Sequence, residues 1–124
     1  ECVTLSSVEP RHAVNPVAQR PGTRHPVTRG APGKAILSLL PKASWPADVS
    51  PDLAAEVTDA ATRGFATSHD EVIPSLRAVA VPLVVRGRGP AAIAVVFVAS
   101  AHSDEEIAAR LTRSASGIRD ALGG

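Results

Sequence analysis

The sequence predicts a mixed α/β domain of the α+β kind, an open antiparallel sheet with helices packed on it. Two observations carry this. Leu76–Val85 and Ala91–Ala99 are apolar runs joined by Arg86-Gly87-Arg88-Gly89-Pro90, which reads as a β-hairpin. Ser103–Leu122 is the strongest helix: Ser103 and Glu106 form a capping-box pair, Asp104 and Glu105 sit at the positive end of the dipole, and Gly123 ends it. Strand, strand, strand, helix, helix, strands, hairpin, helix is then the element order, which this architecture satisfies.

Taken in order, Cys2–Val8 and His12–Ala18 read as short strands with Glu9-Pro10 turning between them. Arg20-Pro21-Gly22 marks a turn, and Thr23–Arg29 extends again. Pro32 suits a first helical position, Gly33–Leu40 carries the helix, and Pro41 stops it. Gly33 weakens that helix slightly, which points to close backbone packing there. Lys42–Val49 is a loop. Ser50-Pro51-Asp52 opens the next helix with a capping hydroxyl, a proline and an acid; Leu53, Val57, Ala60 and Ala61 form its apolar face, and Gly64 ends it. Apart from Arg77, neither hairpin run alternates with polar residues, so both strands should be covered on both faces. Ile107, Leu111, Ile118 and Leu122 make the buried stripe of the last helix.

The totals narrow the function. A chain of 124 residues with 44% hydrophobic residues and a net charge of +1 suits one soluble domain, residues 1–124, with a real core. Trp45, Phe65 and Phe97 are its aromatic residues, too few for a stacking platform or an aromatic cage. One cysteine, Cys2, allows no internal disulfide and no cysteine-rich metal site, in keeping with a reducing cytoplasm. No apolar run reaches the ~20 residues of a membrane helix, and no secretory signal pattern is present. The chain starts at Glu1 and holds no methionine, so a further upstream segment is expected. Arg11, Arg20, Arg24, Arg29, Lys34 and Lys42 lie between Pro10 and Ala47 without an acid. That spacing reads as a solvated basic face, too sparse for a phosphate-tracking surface.

No catalytic constellation emerges. Ser68 next to His69 lacks a Gly-x-Ser-x-Gly elbow, and sequence neighbours rarely adopt nucleophile–base geometry. His69-Asp70-Glu71 has no second His at metal-ligand spacing and reads as loop polarity. Gly87-Arg88-Gly89 is followed by a strand, unlike a phosphate-binding glycine loop. Neither a catalytic residue nor a metal or other cofactor is expected.

His25–Pro41, HPVTRGAPGKAILSLLP, followed by Gly64–Pro82, GFATSHDEVIPSLRAVAVP, resembles the C-terminal effector-binding domain of IclR-type bacterial transcriptional regulators. Gly30-Ala31-Pro32-Gly33-Lys34-Ala35 and Gly64-Phe65-Ala66 carry most of the likeness, with Glu71, Pro74, Ala80 and Pro82 at matching spacings. The resemblance implies a GAF-like fold, a twisted antiparallel sheet of about six strands (a usual size) with helices on both faces. It implies a sensor and not an enzyme, a homodimer or homotetramer in the cytoplasm. DNA would be reached only through an upstream winged helix-turn-helix. A stand-alone GAF-like interaction or signalling domain is the alternative.

Carried over residue by residue, the family's ligand contacts fall on Val17, His25, Ala31, Pro32, Ser68, Leu76, Ala78, Val96 and Val98, with Gly33 at the helix entrance beside them. Alternation within Leu76/Ala78 and Val96/Val98 is consistent with one shared face in each strand. Several positions depart from the pattern. A serine pair typical of members that bind small oxygen-rich acids is Val96 and Val98 here, a frequent cysteine is Ala78, a common loop aspartate is Ser68, and a frequent glycine is Ser75. Fewer polar anchors imply a drier cavity. The helix entrance, with Ala31, Gly33 and Lys34 amides and with Arg24, His25 and Arg29 nearby, suits a carboxylate. The expected effector is a small organic acid with an apolar body.

Overall fold

The computed structural model describes residues 1–7, 21–69, 76–98 and 101–123. The expected strand His12–Ala18 and the turn Glu9-Pro10 lie outside them. Strands β1 (Cys2–Val3) and β2 (Arg24–His25) pair antiparallel, Cys2 opposite His25. The ribbon continues one step further, through Thr4 N–H donating to the Thr23 carbonyl (2.9 Å) and Gly22 N–H to that of Thr4 (2.7 Å). β2 is shorter than Thr23–Arg29 predicts, because Pro26 begins a turn that closes with Arg29 N–H donating to the Pro26 carbonyl, and β1 takes only the start of the expected Cys2–Val8 among the described residues.

Helix α1 spans Gly30–Ser38, opening two residues before the expected Pro32. Gly30 makes the elbow with φ 84°, a conformation that glycine adopts without steric cost. Pro32 still falls in the first turn, where an N–H would have no intrahelical partner. The helix ends before Pro41. Trp45, not proline, finishes it: the indole N–H donates to the carbonyls of Leu37 and Leu40, 3.1 Å each. A single 3-10 turn, Lys42–Ser44, occupies part of the expected loop.

Helix α2 (Pro51–Arg63) begins as its sequence dictates, with the Ser50 hydroxyl accepting from Leu53 N–H (3.1 Å), and ends at Gly64 with φ 89°. Val57 and Ala60 are buried, Leu53 is half-buried and Ala61 faces out. Strands β3 (Ala66–His69), β4 (Arg77–Val85) and β5 (Gly89–Phe97) form an antiparallel sheet in the order β3-β4-β5. Helix α3 (Asp104–Ala121) has both capping-box bonds of Ser103 and Glu106 in place.

Alternation along β4 sorts the core into two layers. Val79, Val81, Leu83 and Val85 pack with Phe65 and with Ile107, Ala108 and Ala115 of α3. Ala78 and Ala80 point the other way, onto Ala31 and Ala35 of α1, with Ala60 and Ala66 completing a layer built from alanine. Helices therefore cover both faces of β4, as its unbroken apolar run predicts. Each fully buried valine or leucine there contributes about 1.5–3 kcal/mol.

Among the described residues there is one two-stranded and one three-stranded sheet. Two expectations need correction. β5 is not covered on both faces: α3 lies mainly over β4, leaving Val95 partly open, and Val96 on the opposite, α1 face is partly open as well. The stripe of α3 likewise runs out: Ile118 and Leu122, the residue after the helix, are exposed.

Candidate functional site

The sheet register brings three of the expected contacts together. Ser68 lies opposite Ala78, and Ala78 opposite Val96. Directly paired residues share a face, so these three form one row across β3, β4 and β5. It is the α1 face, because the adjacent row on that face, Ala66–Ala80–Ala94, holds two members of the alanine layer. The row grades from closed to open. Ser68 and Ala78 are buried, whereas Val96 is 41% exposed and Val98, one residue past β5, 59%. Leu76, just before β4, is buried.

Of the helix-entrance residues, Ala31 is fully buried in the alanine layer and Pro32 is half-buried. Gly33 has a packing role: a Cβ there would run into the Val27 carbonyl, which is the close approach its sequence position suggested. His25 is half-buried on β2. Neither of its ring nitrogens has a hydrogen-bond partner although both are shielded from solvent, and burial holds its pKa below the ordinary imidazole value. Its cross-strand partner Cys2 is a buried thiol whose pKa burial raises. Val17 lies outside the described residues, as do Asp70, Glu71, Pro74 and Ser75.

Lys34 is not the solvated residue that its sequence setting predicts. A lysine in a first helical turn is ordinarily exposed, yet this side chain is 3% exposed. Its ammonium donates to the Thr67 carbonyl (3.0 Å) and pairs with Glu56 of α2. Above it runs an open groove of about 510 Å³ lined by Lys34, Glu56, Asp59, Arg63 and Ala66–His69. Charges in the groove pair off, Lys34 with Glu56 and Arg63 with Asp59 (2.8 Å). Of the expected contacts among the described residues, only Ser68 lines it. The absence of any acid within reach in sequence concealed the pairing; only the α1–α2 packing reveals it.

Nucleophilic chemistry finds no support in the placement of the candidates. Ser68 is buried and His69 exposed on alternate faces of β3. Ser38 donates its hydroxyl to the Ala35 carbonyl (2.6 Å). Among the described residues no three His, Cys, Asp or Glu side chains gather as a metal site. Arg86–Arg88 forms the hairpin turn, with Gly87 and Gly89 at φ near 80°. No helix of the described residues is long and apolar enough to cross a membrane.

The fold of this chain is similar to part of the chain in solved structures of IclR-family transcriptional regulators. Three solved structures show it. An IclR family regulator from Brucella abortus superposes with a TM-score of 0.81 at 20% identity, over 97% of this chain and 52% of that one. For Thermotoga maritima IclR the values are 0.79 and 23%, over 98% and 57%. For the IclR transcriptional regulator of Alicyclobacillus acidocaldarius they are 0.78 and 23%, over 98% and 56%. The chain thus spans about half the length of these regulators. No family profile matches the chain, and no curated protein matches it in sequence.

Proposed function

We propose that this chain is the effector-binding and self-assembly domain of an IclR-type transcriptional regulator, acting in the cytoplasm as a homodimer or homotetramer. On this reading DNA is contacted by a winged helix-turn-helix outside residues 1–124, and GAF-like describes the domain's own architecture. The domain senses and does not catalyse. Effector binding favours one arrangement of subunits by binding it more tightly, and the DNA-binding heads follow.

The observation that carries the proposal is the Ser68–Ala78–Val96 row, assembled from three strands on the α1 face and open at its valine end. One hydroxyl beside apolar side chains suits a ligand with a mainly apolar body. The unpartnered imidazole of His25 supports the acid end: a neutral ring can donate one hydrogen bond, and a charged ring two. Ala31, Pro32, Gly33, Leu76, Val98 and Val17 complete the proposed site. The fold shared with transcriptional regulators supports the role in gene control.

Isothermal titration with benzoate, phenylacetate, hexanoate, succinate and glucose tests this. Binding of the first three with weak or absent heat for the last two is expected. Preference for succinate or glucose removes the ligand class, and no binding by any acid removes the sensing role.

A further inference from the structure

On one face of α1 the contacts to the sheet are methyl groups: Ala31 and Ala35 against Ala66, Ala78 and Ala80. Methyl on methyl fills space but sets the position of this face along the strands only weakly, and Leu37 is the one large side chain that α1 buries completely. Lys34 supplies a directional contact on this side. It projects from α1, is almost wholly buried, and ties that helix both to the Glu56 carboxylate of α2 and to the Thr67 carbonyl of β3. Thr67 immediately precedes Ser68, the closed end of the proposed ligand row. Charge-assisted hydrogen bonds are stronger and more geometrically demanding than apolar contact.

We infer that Lys34 is a positioning residue: held between Glu56 and the Thr67 carbonyl, its ammonium fixes α1 over the Ser68–Ala78–Val96 row and sets the width of the ligand face without touching the ligand. The part concerning the ligand rests on the effector-binding reading; the tie between α1 and β3 does not. The assignment differs from the anion-binding role a helix-entrance lysine suggests, because this ammonium is already committed to a carboxylate and a carbonyl.

The test uses the 124-residue chain with Lys34→Met, which keeps the stem and removes the charge, and Glu56→Gln, which keeps the shape and a hydrogen-bonding oxygen at a half-exposed position. Amide hydrogen exchange at Thr67–His69 is read without ligand, and titrations use benzoate, hexanoate and benzamide. Loss of a charge-assisted bond should raise exchange at Thr67–His69 by about tenfold in Lys34→Met, while the α3 face stays protected. Glu56→Gln should move the same amides in the same direction by less. In Lys34→Met the ratio of benzoate to hexanoate affinity should change, whereas general destabilisation would weaken both alike.

Parent-like exchange in both variants overturns the inference. So does a Lys34→Met chain that keeps parent exchange but loses its preference for benzoate over benzamide, since Lys34 would then meet the carboxylate directly. Should Lys34→Met fail to fold, exchange in Glu56→Gln decides, a rise supporting the tie and parent values overturning it. If the parent binds neither acid, the effector reading fails on its own, and exchange still decides whether Lys34 holds α1 to β3.

Discussion

The carbonyl of Val27 occupies the place where a side chain at Gly33 would begin. The turn before α1 and the helix itself therefore touch backbone to backbone, which only a residue without Cβ permits. Gly33→Ala must push the elbow away from the helix. The expected loss of stability is about 3 kcal/mol, at the upper end of overpacking costs, read as a lower urea midpoint with unchanged slope.

His25 gives the domain a pH dependence of known sign. Burial lowers its pKa in the folded state, so the unfolded chain takes up the proton first as pH falls. Its contribution to stability is present above the unfolded imidazole pKa, about 6.5, and is lost as the pH drops below it. Thermal melts of His25→Gln should show a flatter pH profile between about pH 7 and 5 than the parent. An unchanged profile would place the titration elsewhere.

The capping box of α3 makes a separate acid-side contribution. Hydrogen bonds from the His102 ring and from Ser103 hold the Glu106 carboxyl below the usual carboxylate range. That contribution is present above the unfolded carboxylate pKa and fades as pH falls through the lower folded one. Ser103→Ala removes the N-cap acceptor for Glu106 N–H (3.1 Å) and should cost about 1 kcal/mol at neutral pH. Chemical denaturation at pH 7 checks it.

Ligand preference should follow the polarity of the open end of the row. Val96→Ser and Val98→Ser together place two hydroxyls where the chain now presents isopropyl groups, both partly exposed. The double variant should lose at least about tenfold for hexanoate, as expected when roughly 1.4 kcal/mol of apolar contact goes, and gain relative affinity for short hydroxy acids. Titration of hexanoate and lactate in parallel decides it; unchanged selectivity would show that neither residue meets the ligand.

How much of this was legible beforehand depended on whether the signal was local. Ser50, Gly64 and the Ser103–Glu106 pair announce helix ends because capping involves neighbours only three or four residues apart. The β4–β5 hairpin was equally readable from Gly87 and Gly89, though Gly89 and Pro90 belong to the strand and not to the turn. Register is different. That Ser68, Ala78 and Val96 share one row depends on two pairings, Ser68 with Ala78 and Ala78 with Val96, across 10 and 18 positions in sequence, and it is the family likeness, not spacing, that nominates them. Lys34 went the other way. Its sequence setting looks exposed, and the partner that makes burial tolerable, Glu56, comes from another helix. Uncovered valines on β5 and the exposed end of α3 were misjudged because apolar content shows what can be buried, not whether a neighbour reaches it.

The contact at the end of α1 has a practical consequence. Trp45 is the only tryptophan in the sequence, and its indole sits on the last carbonyls of that helix. Emission from the domain is thus an intrinsic optical gauge of one location. Any event that draws the helix terminus away from the indole frees its N–H to water, and the fluorescence maximum should move to longer wavelength with no label attached.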